Sequence, residues 1–252
     1  MLRNFADDHF DIIIQAGQSN SEGYGFGDTQ NPYTPNEKVW YLNADFTITL
    51  ATEWVCGNLI QSNFSLSFAR QYISNGLLEE GRKILIIRAA VGGTGFLDHR
   101  WGLKDDLFLR MMEMIKTALE LNKNNRLVAF LWHQDETDAS LNATYETHHN
   151  NLLTLVNTVR ETFNCPELPF IAGDFVAHWK NQNIAICEPV INAIKDVCKA
   201  VNGRFVLTDE LLSNAQTKAL NSDDIIHFSR DSLYRLGEKY FEAFREIISS
   251  VK

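Results

Sequence analysis

Short apolar runs alternate along this chain with longer segments whose apolar residues recur every three or four positions. The runs at 10–14, 83–87, 126–132, 169–173 and 204–208 have strand length and are rich in β-branched and aromatic residues. Between and after them, the spacing predicts helices over 63–80, 105–121, 139–163, 188–201 and 229–251. In the first of these, Phe64, Phe68, Tyr72 and Ile73 share a face and Gly81 is the expected stop. Apolar runs of strand length that alternate with longer amphipathic segments imply a parallel sheet covered on both faces. The expected fold class is therefore α/β, a three-layer α/β/α sandwich around a five-stranded parallel sheet. The segment from 23 to about 61 is rich in Gly, Asn, Pro and Thr and reads as a long irregular stretch that builds the mouth of a site.

Bulk properties narrow the function classes. With 252 residues the chain fits a single α/β domain spanning 1–252. A formal net charge of -9 opposes nucleic acid and anionic membranes as partners. No apolar stretch is long enough to span a bilayer, and 1–8 is acidic without a hydrophobic signal core, so the expected location is cytoplasmic. Cys56, Cys165, Cys187 and Cys198 are widely spaced, with no Cys-x-x-Cys unit, and are expected to be reduced. Neither a metal site nor a cofactor is expected, and the oligomeric state stays open.

Four blocks carry candidate chemistry. Gly17-Gln18-Ser19-Asn20 follows the first apolar run, so a glycine-permitted turn delivers the Ser19 hydroxyl at the carboxyl end of a strand, where open α/β sheets place their sites. Asp224-Ile225-Ile226-His227 precedes the last helix, and residues three apart face one side of a turn. Asp224 can then fix the His227 tautomer, leaving the other ring nitrogen to take a proton from a serine; Asp223 competes for that role. The glycines of 89–95, Gly92 and Gly93 among them, can expose backbone N–H groups to an oxyanion, or can instead make a tight turn or a phosphate cradle. Gln134 leaves the third strand with an amide that can serve the same oxyanion.

Taken together, Gly-Gln-Ser-Asn, Ala-Val-Gly-Gly-Thr, Trp-His-Gln-x-Glu and Asp-x-x-His-Phe resemble the SGNH-type hydrolases, in the branch of sialate O-acetylesterases and acetylxylan esterases. The resemblance covers the whole chain in order. It implies a flavodoxin-like SGNH hydrolase fold and a metal-independent serine esterase acting on a small acetylated saccharide through an acetyl-enzyme. In that reading Ser19 is the nucleophile, His227 the base and Asp224 its partner, while the Ser19 amide, Gly92 or Gly93, and the Gln134 side chain form the oxyanion hole. Glu136 would hold the oxyanion loop in place. Asp135 stands where the family usually has glycine; a charge beside the oxyanion would oppose catalysis, so its carboxylate is expected to point away from the pocket.

The competing reading is a non-catalytic carbohydrate- or nucleotide-binding module on the same fold, with the glycines of 23–27 holding a phosphate. Trp101, Trp132 and Trp179 are candidate sugar platforms, Trp101 first among them, but core packing is the preferred reading for each. His148 and His149, adjacent on a helix, are expected on a solvated face.

Overall fold

The computed structural model describes residues 5–221 and 223–250. In chain order the elements are β1 (His9–Gly17), α1 (Ser19–Glu22), β2 (Val39–Leu42), β3 (Ile48–Leu50), β4 (Trp54–Cys56), β5 (Leu59–Gln61), α2 (Phe64–Ser74) and β6 (Arg82–Arg88). They continue with α3 (Asp106–Glu120), β7 (Arg126–His133), α4 (Glu136–Ser140), α5 (Tyr145–Thr162), β8 (Phe170–Gly173), α6 (Ala177–Gln182), α7 (Ile184–Ala200), β9 (Arg204–Val206) and α8 (Arg230–Ser250).

The main sheet has seven strands in the order β3-β2-β6-β1-β7-β8-β9, rather than the expected five. The five strands read from the sequence are its contiguous parallel core β6-β1-β7-β8-β9 in space. The additions come from the stretch expected to be irregular. There β2 pairs parallel with β6, and β3 pairs antiparallel with β2 at the edge. Strands of three or four residues are too short to stand out by periodicity against a Gly- and Pro-rich background. A separate antiparallel hairpin, β4-β5, occupies the same stretch.

The run Ile12-Ile13-Ile14 shows why the sheet is covered on both sides. Ile12 and Ile14, with Phe10 and Ala16, join the apolar layer formed with α3, α5 and α7. Ile13 faces the opposite layer, formed with α2 and α8. All three are fully buried, and each such side chain contributes about 1.5–3 kcal/mol relative to exposure. A strand that must satisfy two layers cannot alternate with polar residues, hence the unbroken apolar run.

Helix boundaries differ from expectation where local backbone chemistry intervenes. The helix read over 63–80 ends at Ser74, because Gly76 takes φ 72 and its N–H, with that of Leu77, caps the carbonyls of Ile73 and Tyr72. The segment 139–163 divides into α4 and α5 at Asn142 (φ 58), and Thr144 caps the second through its hydroxyl, which accepts from the Thr147 amide. The helix read from 188 begins a turn earlier, at Ile184, and carries Pro189 inside it. The last helix is described to Ser250, so the expected end at Val251 lies outside the described residues.

Candidate active site

Gly17 sets the site's first coordinate. It closes β1 at φ 123, and a Cβ there would stand 2.0 Å from the His133 carbonyl oxygen of the neighbouring strand, so no other residue fits. The next amide, of Gln18, donates to that same oxygen at 2.9 Å. The chain then enters α1 with Ser19 at its first position, 6% exposed.

Across 208 positions of sequence, the His227 Nε2 lies 2.9 Å from the Ser19 Oγ. On its other side, His227 Nδ1 lies 2.9 Å from Asp224 Oδ2 and 3.1 Å from Oδ1. The three side chains called from the sequence thus stand in line. Asp224, not Asp223, makes this contact. Burial raises the Asp224 pKa, but hydrogen bonds from His227 and Asn214 outweigh it and hold the carboxyl below the usual range, so it stays ionised beside the imidazole. The Tyr24 ring stacks on His227, centroids 5.2 Å apart.

Two asparagines hold this alignment. Asn20, fully buried, donates to Glu136 Oε1 (2.6 Å) and to the Ile226 carbonyl (3.0 Å), and accepts from the Phe228 amide (3.0 Å). It therefore pins the Ser19 turn to both chain segments flanking His227, and Glu136 acts through it. Asn214 donates to Asp224 Oδ2 and to the Tyr24 carbonyl, each at 2.9 Å, and accepts from the Phe26 amide at 3.0 Å. The sequence reading missed Asn214, which sits in no motif; it is found only by asking what orients Asp224.

The remaining site residues are placed unevenly. Gly92 and Gly93 line the cleft with Ser19 and His227, a space of about 640 Å³. However, the Gly92 amide already donates to Glu22 Oε2 at 2.7 Å. Gly93, at φ 68, has no hydrogen-bond partner for its amide among the described residues. Gln134 does not line the cleft. Its side chain is fully buried, with Nε2 3.5 Å from Gln18 Oε1, because Gln18 stands between it and the open space and also accepts from the Thr137 amide at 3.1 Å. Asp135 is 1% exposed and likewise does not line the cleft.

Burial decides three other readings. Trp101 is fully buried, its indole N–H donating to Thr94 Oγ1 at 3.0 Å and its ring edge-on to Trp132 at 5.1 Å. It supports the glycine loop from beneath and is no sugar platform; Trp132 is equally buried. His148 is buried rather than solvated, because Nδ1 lies 3.2 Å from Asp138 Oδ2, and that carboxylate also accepts from the Phe96 and Leu97 amides of the same loop. The glycines of 23–27 are packed, not open: a Cβ at Gly23 would stand 2.6 Å from the Ser62 carbonyl oxygen, and one at Gly25 2.6 Å from Leu233. No phosphate cradle exists there.

A mostly parallel three-layer sandwich of the SGNH type, with a hydroxyl, imidazole and carboxylate aligned at the carboxyl ends of its strands, defines the class: a carboxylic ester hydrolase. The family follows from comparison. The model of the family "carbohydrate esterase, sialic acid-specific acetylesterase" matches residues 9–246, and the chain belongs to this family of carbohydrate O-acetyl hydrolases. No curated protein sequence matches the chain. Among solved structures, NanS is similar at 17% identity and TM-score 0.80, covering 97% of this chain and 99% of its own. A protein from Arabidopsis thaliana is similar at 21% identity and TM-score 0.74, covering 94% and 98%. A carbohydrate acetylesterase from Xanthomonas citri is similar at 14% identity and TM-score 0.63, covering 95% of this chain and 57% of that one. No helix of the described residues is long and apolar enough to cross a membrane.

Proposed function

We propose that the chain removes acetyl groups from a saccharide of the acetylxylan or sialate type by metal-independent acyl transfer through Ser19. The hydroxyl oxygen attacks the acetyl carbonyl carbon while His227 Nε2 takes its proton, and Asp224 stabilises the resulting imidazolium. The oxyanion is met by the Ser19 amide, which lies at the start of α1 outside that helix's own hydrogen-bond ladder, and by the unpartnered Gly93 amide. Collapse breaks the bond to the sugar oxygen, which leaves with the proton from His227. Water then gives its proton to His227 and attacks the acetyl-enzyme, releasing acetate and restoring the serine.

The observation that carries this reading is the 2.9 Å approach of His227 Nε2 to Ser19 Oγ. Serine is too weak a nucleophile at its own pKa to attack an ester without such a base. Hydrolysis of 4-nitrophenyl acetate by the wild type and by Ser19→Ala tests it: turnover is expected to vanish in the variant, and equal rates would overturn the proposal. The packed Gly23 and Gly25 argue against a nucleotide-binding module. Free Cys165, Cys187 and Cys198 are in keeping with a reducing, cytoplasmic setting.

A further inference from the structure

Beside the cleft the β4-β5 hairpin presents a feature that the acetyl-transfer chemistry does not use. Trp54 is 54% exposed, whereas Trp101 and Trp132 are fully buried. Its position is fixed from below. Trp54 pairs with Gln61 across the hairpin, the Gln61 amide donates to the Gly23 carbonyl, and Ser62 bridges antiparallel to Gly25. A hairpin bound this tightly to the segment following Ser19 holds its exposed indole at a set distance from the nucleophile.

That indole borders a cavity of about 380 Å³ whose walls also include Tyr24, Glu22, Arg88, Gln61 and Asn63. Tyr24 is shared, since it also lines the cleft containing Ser19 and His227. The cavity therefore continues the cleft around one aromatic ring. A pyranose has an apolar C–H face and a rim of hydroxyls. An exposed indole matches the first, and Glu22 and Arg88 in the same walls match the second, a carboxylate accepting from hydroxyls and a guanidinium donating to them. The volume falls within the range of about 300–1,000 Å³ typical of small-molecule sites.

We infer that Trp54 is the platform of a second sugar subsite, so that the substrate is an oligosaccharide whose acetylated unit lies in the cleft and whose neighbouring unit stacks on the indole. This rests on the reading of the Ser19 cleft as the place where the acetyl group reacts. The continuity through Tyr24 favours a saccharide over a second copy of this chain. Val55 and Ile60, which a protein partner would also cover, pair with each other at the intervening hairpin position and face the opposite side from Trp54.

The test compares kcat/KM for acetylated xylotetraose against acetylated xylose, and for acetylated sialyllactose against acetylated sialic acid, in the wild type, Trp54→Ala and Trp54→Phe. In one of the two pairs the wild type is expected to favour the longer substrate by about 5- to 10-fold, mainly through KM. Trp54→Ala should bring that ratio near one, and Trp54→Phe should keep most of it. Independently of turnover, xylotetraose or sialyllactose should quench the tryptophan fluorescence of the Ser19→Ala protein and fail to do so when Trp54 is also replaced. A wild type without preference for either longer substrate, a ratio unchanged in Trp54→Ala, or a dimer that dissociates on that substitution would each overturn the subsite. Loss of all esterase activity in the wild type with the fluorescence change intact would instead overturn the acyl-transfer reading alone.

Discussion

Replacing Asp135 by asparagine should make the protein increasingly stable relative to wild type as pH rises. The Asp135 side chain is buried, and neither carboxylate oxygen has a hydrogen-bond partner among the described residues. Burial first, and then the charges of Glu136, Asp174 and Asp138, push its pKa well above the ordinary carboxylate range. Between about pH 4, where an unfolded aspartate ionises, and that raised value, the native state holds a proton that the unfolded chain has released. Stability therefore falls as pH rises through this window, by about 1.4 kcal/mol per unit for one proton. From pH 5 to 7 the limit is about 2.7 kcal/mol, or about 5–10 °C in Tm for a chain of this size. Asparagine does not titrate, and the cost of burying its amide is the same at every pH, so it cancels from the slope. Thermal unfolding followed by circular dichroism at pH 5, 6, 7 and 8 gives the comparison. A Tm difference between Asp135→Asn and wild type that is the same at all four would refute the reasoning.

Asp224→Asn should lower kcat/KM on 4-nitrophenyl acetate by up to about 10⁴-fold, the scale known for the aspartate of a serine triad; a loss under tenfold would deny the carboxylate its role. Asn214→Ala removes the donor to Asp224 Oδ2 and both ties to 24–26. It should cost about 1–3 kcal/mol in urea unfolding and lower kcat, and a wild-type kcat would show that Asp224 orients without it. Burial raises the Asp138 pKa, but His148 and the Phe96 and Leu97 amides bring it below the usual range. That stabilisation is present above about pH 4 and is lost as pH falls through the lower folded value. The stability deficit of Asp138→Asn should accordingly shrink from pH 7 to pH 3, and a constant deficit would contradict it.

What the sequence revealed follows from where its signals are strong. Ile12, Ile13 and Ile14 announce a strand buried on both faces because no polar residue is tolerated there, and the same holds for 84–87 and 129–132. Ser19 was legible because it directly follows a buried strand, and Asp224 and His227 because residues three apart in a turn face one side. The short strands β2 and β3 were not, since their pairing is decided by β6 and not by their own pattern. The placement of Gln134 was equally hidden. Its spacing fits an oxyanion donor, but its amide instead meets the side chain of Gln18, the residue directly after β1. His148 misled because a polar residue on an apparently open helix face can be claimed by a partner on another element, here Asp138, that no local pattern shows.

The Asn20 tether has a consequence for how the protein comes into being. One amide side chain joins residue 20 to Glu136 and to the backbone at 226–228, which is synthesised later than both. Nascent polypeptide that has not yet reached His227 holds its serine with nothing to activate it, so premature hydrolysis during translation is prevented by topology alone. Recovery of turnover after dilution from denaturant would consequently mark the closing event of refolding, trailing the return of helical signal.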